Sequence, residues 1–179
     1  MKKLSMVVLI TVMVLFANAV PLSADDGRGL SVFGGFGFAL NDFKGFCLVL
    51  GTEIQINEKF YAQFLLDYYP SAGEKSVEGA GNSVYGINLY GVFKQPISER
   101  LKLFAKAGVH YTVMEGASYF WGMYFTEAQS KFGVGAGFGA EYDLNEKLSL
   151  LLGATVKLIF ADETGTWIKI YSGVSYHLQ

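Results

Sequence analysis

Hydrophobic and polar positions alternate along most of the chain after residue 24, most clearly in Gly45–Asn57. One face of this segment is mainly bulky and apolar: Phe46, Leu48, Leu50, Thr52, Ile54 and Ile56. The other face is small or polar: Cys47, Val49, Gly51, Glu53 and Gln55. A period of two residues predicts a β-strand. Because the carboxylate lies on the face with small residues, the pattern favours a closed barrel in lipid, with apolar side chains outside and polar ones inside.

Eight segments share this alternation and are predicted strands: Leu30–Leu40, Phe46–Ile56, Phe60–Tyr69, Val84–Lys94, Leu101–Met114, Lys131–Leu144, Leu148–Phe160 and Trp167–Gln179. Three connections are short and charged: Asn57–Lys59, Gln95–Arg100 and Asn145–Lys147. Four others alternate with them: Asn41–Lys44, Pro70–Ser83, Glu115–Ser130 and Ala161–Thr166. Short periplasmic turns and longer external loops are typical of outer-membrane barrels. We therefore predict an all-β fold, an eight-stranded antiparallel up-and-down transmembrane β-barrel with a polar lumen.

Outward-facing aromatic residues are predicted at both ends of these strands. Those near the external edge are Phe38, Phe46, Tyr68, Tyr85, Tyr111, Phe132 and Phe160. Those near the periplasmic edge are Phe60, Phe93, Tyr142 and Tyr176. Aromatic belts at both membrane interfaces are expected of a barrel that spans a bilayer. A water-soluble periplasmic barrel is the alternative, and it requires the opposite assignment of the two faces.

The first 24 residues read as a secretory signal peptide, with Lys2 and Lys3 before the apolar stretch Met6–Phe16. Two cleavage sites remain open, after Ala19 or after Ala24, and the second leaves residues 25–179 as the barrel domain. Glycine (22 residues) and aromatics (16%) are abundant, whereas proline is scarce (3 residues), as suits a many-stranded barrel. The formal charge of −2 is not that of a nucleic-acid-binding protein. Cys47 is the single cysteine, so no intrachain disulfide can form, and we interpret it as a small packing residue of the lumen.

The predicted inner faces carry many charges. The inward-facing charged residues are Glu53, Asp67, Lys94, Lys102, Lys106, Lys131, Glu141, Asp143, Lys157 and Lys169. Unpaired charges in a narrow lumen would be costly, so we predict ion pairs and trapped water. Eight strands leave an interior that side chains can fill, so a wide aqueous pore is not expected.

The candidates for catalytic chemistry are weak. His110 and His177 are the only histidines, and neither stands in the His/Ser arrangement of lipid-modifying barrel enzymes. The run Gly133–Gly139 lacks the strand–turn–helix context of a nucleotide-binding loop, and its inward glycines instead make room for side chains from facing strands. We expect no enzymatic activity, no catalytic residues, no metal site and no cofactor.

The connection between the fifth and sixth strands is the best candidate for binding. It contains an aromatic cluster: Tyr119, Phe120, Trp121, Tyr124 and Phe125. Exposed aromatic clusters mark interaction surfaces. Alternatively, the two strands continue beyond the bilayer as a hairpin around Gly122, and both interpretations are compatible with binding.

The last strand resembles the C-terminal assembly signal of bacterial outer-membrane barrels, through Gly173, Tyr176 and Leu178. Over residues 25–179 the chain is similar to the small eight-stranded barrels of the OmpX/Ail, opacity-protein and OmpA-barrel type. The resemblance implies a monomer in the bacterial outer membrane, with lipid, lipopolysaccharide, the barrel-assembly machinery and host or cell-surface ligands as partners, and no nucleic acid. It implies a structural and adhesin or interaction role through the external loops. A small channel of the OmpW type, for small or apolar solutes, is the alternative.

Overall fold

The computed structural model describes residues 29–41, 45–70, 83–120, 123–160 and 165–178, with the backbone alone at 41, 114–120, 123–129 and 165. The described chain forms eight strands, which are β1 (Leu30–Asn41), β2 (Gly45–Gln55), β3 (Phe60–Tyr69), β4 (Ser83–Pro96), β5 (Leu101–Phe120), β6 (Met123–Asp143), β7 (Leu148–Ile159) and β8 (Gly165–Leu178). Among these residues no helix is long and apolar enough to cross a membrane. The predicted signal peptide lies outside the described residues.

The strands form one closed antiparallel barrel in which each strand pairs with its neighbours in sequence. The barrel closes where β1 pairs with β8, in a register that joins Leu30 to Leu178 and Asn41 to Trp167. Closure leaves no edge strand within the barrel wall, as a bilayer requires. The predicted fold class is confirmed.

Residue exposure follows the predicted alternation. In β4 the inner positions are buried, while Ile87, Leu89 and Phe93 are exposed on the outer face. Outward aromatics pair across neighbouring strands near both ends of the barrel, with ring centroids 4.8 Å apart for Tyr111 and Phe132 and 5.3 Å apart for Phe60 and Phe93. The predicted belts therefore consist, in part, of cross-strand pairs.

Two outward positions differ from the expected exposure. Leu30 and Leu66 are each only 5% exposed, although neither belongs to the buried cluster that fills the lumen. Their register partners are all bulky aliphatic residues: Ile54 and Leu178 for Leu30, and Leu50 and Ile87 for Leu66. Neighbouring side chains on the outer wall therefore cover them.

The three short turns share one construction. Each follows the pattern Asn/Ser-Glu-Lys/Arg before a bulky apolar residue, at 57–60, 98–101 and 145–148. In the first, the Asn57 side-chain oxygen accepts hydrogen bonds from the backbone of Lys59 and Phe60, both at 3.0 Å. Asn145 repeats this with Lys147 and Leu148 at 2.9 Å. Asparagine favours such turns because its side chain can satisfy backbone donors two and three residues on.

The predicted loop Glu115–Ser130 is for the most part strand. β5 continues to Phe120 and β6 begins at Met123, with Tyr119 paired to Tyr124 and Phe120 to Met123. The hairpin interpretation of this segment is therefore the correct one for the backbone. Trp121 and Gly122 lie outside the described residues.

Candidate functional site

The half of the lumen opposite the three short turns, which is the predicted external half, contains a buried cluster around Asp67. Lys157 and Lys169 each donate a hydrogen bond to one oxygen of this carboxylate, at 2.6 and 2.7 Å. Lys157 also donates to the Asn88 side-chain oxygen at 2.6 Å, and the Asn88 amide donates to Asp67 at 3.2 Å. All four residues are at most 2% exposed. Two lysines share the single carboxylate of Asp67, so the side-chain amide dipole of Asn88 balances part of their positive charge.

Lys106 lies between the two halves of the lumen and has a different environment. Its ammonium group donates to the Gln63 side-chain oxygen at 3.2 Å. It also lies over the rings of Tyr90 and Tyr171, 4.7 and 4.6 Å from their centroids. No carboxylate of the described residues lies within ion-pair distance of it. Two aromatic faces and one amide therefore hold a buried cation, an arrangement favoured by the ring quadrupole.

The half of the lumen beside the three short turns, which is the predicted periplasmic half, contains a second ion-paired cluster. Lys94 bridges Glu53 and Glu141, with 2.5 Å to an oxygen of each. The Gln63 amide donates to the second Glu53 oxygen at 3.1 Å. Lys102 pairs with Asp143 at 2.8 Å nearer the mouth, where both side chains are partly exposed.

Ten charged residues were predicted to face the lumen. Eight of them lie in the two clusters, and a ninth, Lys106, lies against two tyrosine rings. Lys131 is partly buried and makes no ion pair with any described residue. The charge is unevenly distributed, because three lysines face one carboxylate in the external and central part. In the periplasmic half, three carboxylates face two lysines.

The glycines of β6 make room for facing side chains, as their spacing predicted. A Cβ atom at Gly135 would lie 3.0 Å from the Tyr90 hydroxyl, and one at Gly139 would overlap the Phe104 ring. One at Gly133 would overlap His110, which is 1% exposed and lies 3.1 Å from the Thr112 hydroxyl. Larger residues on this face of β6 would displace the packed lumen.

Four further polar residues of the network were not assigned to it from the sequence. Gln63, Asn88, Ser149 and His177 all contact its charged members. Register could have indicated Gln63, which pairs directly with Glu53 across β2 and β3. Register could likewise have indicated Ser149, which pairs directly with Asp143 across β6 and β7. The contact of His177 with Glu141 joins β8 to β6, which are not adjacent, and no local pattern reveals it.

The aromatic segment and the C-terminal segment lie at opposite ends of the wall. Tyr119, Phe120, Tyr124 and Phe125 belong to the hairpin by their backbone, and their side chains, like Trp121 as a whole, are outside the described residues. In β8, Gly173 pairs with Gly35 of β1, while Tyr176 and Leu178 are exposed on the outer face. Cys47 is fully buried and free.

Comparison with known structures finds the same fold. Neisserial surface protein A is 15% identical, with a TM-score of 0.65 and coverage of 84% of this chain and 97% of that one. The attachment invasion locus protein Ail of Yersinia pestis is 14% identical, with a TM-score of 0.53 and coverage of 84% and 97%. The outer membrane protein OprG of Pseudomonas aeruginosa is 12% identical, with a TM-score of 0.59 and coverage of 85% and 96%. Identities this low indicate a shared fold and no more.

The sequence itself matches a family described as outer membrane protein beta-barrel domain, over residues 8–177. No curated protein sequence matches it significantly. The closed eight-stranded wall, its apolar exterior and its charged lumen all agree with the family match. The chain therefore belongs to the outer membrane protein beta-barrel family of the bacterial outer membrane.

Proposed function

We propose that this protein is a non-enzymatic surface barrel, with a structural role and an adhesin or interaction role carried by its external loops. The observation that supports this most directly is the length of β5 and β6, which contain 20 and 21 residues. The other strands contain 10 to 14. The additional residues extend the hairpin beyond the barrel wall on the side opposite the short turns.

The extended hairpin has the properties of a binding element. Pairing of β4 with β5 ends at Ser83 and Glu115. Beyond that point, residues 116–120 and 123–127 pair only with each other among the described residues. A two-stranded ribbon has backbone groups at its edges that can pair with a strand of a partner. The hairpin also carries aromatic residues, a type enriched at protein–protein interfaces: Tyr119, Phe120, Trp121, Tyr124 and Phe125.

The lumen supports a structural role. Ser149 Oγ lies 2.7 Å from His177 Nε2, the separation of a nucleophile and its base. However, His177 Nδ1 faces the Ser31 hydroxyl at 3.2 Å, whereas a catalytic triad places a carboxylate at that nitrogen. The carboxylates of Asp143 and Glu141 lie on the Nε2 side instead. This arrangement supports the non-enzymatic proposal.

The proposed partners follow from position and from relatives. Ail of Yersinia pestis has been crystallised with the heparin analogue sucrose octasulfate, which supports a cell-surface ligand for the present barrel as well. The exposed outer wall would contact lipid and lipopolysaccharide as a monomer. Gly173, Tyr176 and Leu178 would present the assembly signal to the barrel-assembly machinery.

Replacing Tyr119–Phe125 by an Asn-Gly turn tests the proposal. We expect the barrel to fold unchanged, because residues 101–115 keep their partners in β4 and β6. Binding of expressing cells to epithelial monolayers and to heparin-coated beads should fall to the level of cells without the protein. Folding is checked by heat-modifiable gel migration and surface display by protease accessibility in intact cells.

A variant that shortens the 71–82 segment provides the control, and it should retain binding. Unchanged adhesion after loss of the aromatic hairpin would contradict the interaction role. Planar-bilayer recordings address the channel alternative, since strong, size-graded conductance of the purified protein would contradict a filled lumen and favour transport.

A further inference from the structure

The periplasmic mouth of the lumen contains three potential metal ligands from two strands. Glu141 and Asp143 of β6 and His177 of β8 each offer one ligand atom, and these atoms lie within 4.8 Å of one another. Glu141 Oε1 lies 3.6 Å from His177 Nε2. We propose that these three residues form a binding site for a divalent transition metal, Zn²⁺ in particular. The proposal does not depend on the adhesin role.

The carboxylates are oriented so that one oxygen of each remains on the histidine side. Lys94 occupies Oε2 of Glu141, and Lys102 occupies Oδ2 of Asp143. Glu141 Oε1 is buried and has no hydrogen-bond partner among the described residues. An unsatisfied buried carboxylate oxygen costs free energy, and a bound cation would remove that cost.

The ring nitrogen of His177 that would not bind the metal has a hydrogen-bond partner, as it usually has in metal-binding histidines. This Nδ1 atom lies 3.2 Å from the Ser31 hydroxyl, which can accept the Nδ1 proton and leave the Nε2 lone pair for a metal. The Ser149 hydroxyl now bridges Nε2 and Asp143 Oδ1, at 2.7 Å to each. Rotation of the Ser149 side chain about χ1 would move its hydroxyl away from both ligand atoms at once.

The backbone around the site is fixed in advance. The His177 amide donates to the Lys147 carbonyl at 2.8 Å, and the Asp143 amide donates to the Arg100 carbonyl at 2.8 Å. Register places Asp143 beside Ser149 and His177 beside Ser31. Two of the short turns therefore hold the ligand-bearing strand ends, so binding would require little reorganisation.

The chemistry of the donors favours Zn²⁺. Imidazole nitrogen and carboxylate oxygen are both zinc ligands, and catalytic zinc sites use three protein ligands and a water, whereas Ca²⁺ and Mg²⁺ prefer oxygen ligands alone. Carboxylates outnumber lysines in this half of the lumen, which also favours a cation. The site is open to the periplasm, because the His177 and Asp143 side chains are 26% and 21% exposed.

Zinc titration of the tag-free barrel in detergent micelles, followed by isothermal calorimetry, tests the site. We expect one ion per chain, and at least a 100-fold weaker affinity in His177→Ala. His110→Ala is the matched control, because it removes the other histidine, which is buried in the external half. Its zinc affinity should equal that of the parent.

A second readout does not depend on variants that fold. In ¹H–¹³C NMR spectra of the parent barrel, Zn²⁺ should shift the ring signals of His177 and leave those of His110 in place. Co²⁺ should likewise give visible d–d bands with the parent barrel. Absence of binding by the parent, equal binding by His177→Ala, or unshifted His177 signals would each overturn the proposal.

Discussion

Single residues in the lumen differ in how their charge is balanced. Lys94 has a carboxylate on either side, whereas Lys106 is held by two tyrosine rings and an amide. Removing one member of a buried ion pair leaves the other charge uncompensated, which is costlier than losing the attraction itself. Lys94 should therefore be the more sensitive position for stability.

Lys94→Met should reduce the free energy of unfolding by about 3–5 kcal/mol, because Glu53 and Glu141 lose their common cation. Urea unfolding in lipid vesicles, followed by tryptophan fluorescence, measures the change. Lys131→Met is the control, since Lys131 makes no ion pair with any described residue, and it should lie within about 0.5 kcal/mol of the parent. Equal losses in the two variants would contradict the bridging role of Lys94.

Elements of the barrel were predictable where local rules decide them. β3 has the predicted bounds Phe60–Tyr69, because its alternation ends at turn residues on both sides. β5 and β6 extend further than the predicted Met114 and Lys131. The sequence from Glu115 to Ser130 is rich in aromatic residues and contains two glycines. This composition suits an exposed loop and a hairpin equally, and only cross-strand pairing distinguishes them.

The partners of the lumen charges were not predictable. Alternation placed Asp67 and Lys157 on inner faces, but they are separated by 90 residues and their contact depends on barrel closure and stagger. The same reason concealed the meeting of Glu141 with His177, since these side chains come from strands that are not adjacent. Only the tertiary arrangement brings such pairs together.

The short turns give a prediction at this scale. Asn145→Ala removes two hydrogen bonds from the side chain to the backbone, so we expect a loss of about 1–2 kcal/mol in the free energy of unfolding. Vesicle unfolding by urea measures it. Glu146→Ala, in the same turn but with an exposed side chain, should have almost no effect. A larger effect of Glu146→Ala would indicate that charge, and not the asparagine cap, sustains the turn.

Across the whole molecule, apolar residues are exposed and charged residues are buried, which is the opposite of a water-soluble protein. Leucine, isoleucine, valine and phenylalanine dominate the exposed outer wall, and lysine, aspartate and glutamate are buried within. A charge introduced on the outer wall should therefore be expensive in proportion to its depth in the bilayer.

Leu89→Lys, in the middle of β4, should reduce the free energy of unfolding in lipid vesicles by about 2–4 kcal/mol. Leu144→Lys, in the turn after β6, should cost about 0–1 kcal/mol, because it lies near the interface. Both leucines are exposed, 55% and 46%, so exposure alone does not separate them. Equal costs in vesicles would contradict a lipid-facing wall.

The position of Lys106 between two tyrosine rings affects how substitutions in one part of the lumen act on the other. Because aromatic rings and one amide separate the Asp67 cluster from the Glu53 and Glu141 cluster, no chain of ion pairs links the two among the described residues. The two clusters nevertheless share neutral partners, because Gln63 contacts Lys106 and Glu53, and the Tyr171 ring lies beside Lys106 and Lys169. Substitutions in one cluster should therefore couple to those in the other through Lys106. A change at the inner mouth should accordingly be transmitted toward the cell-surface end through this one lysine.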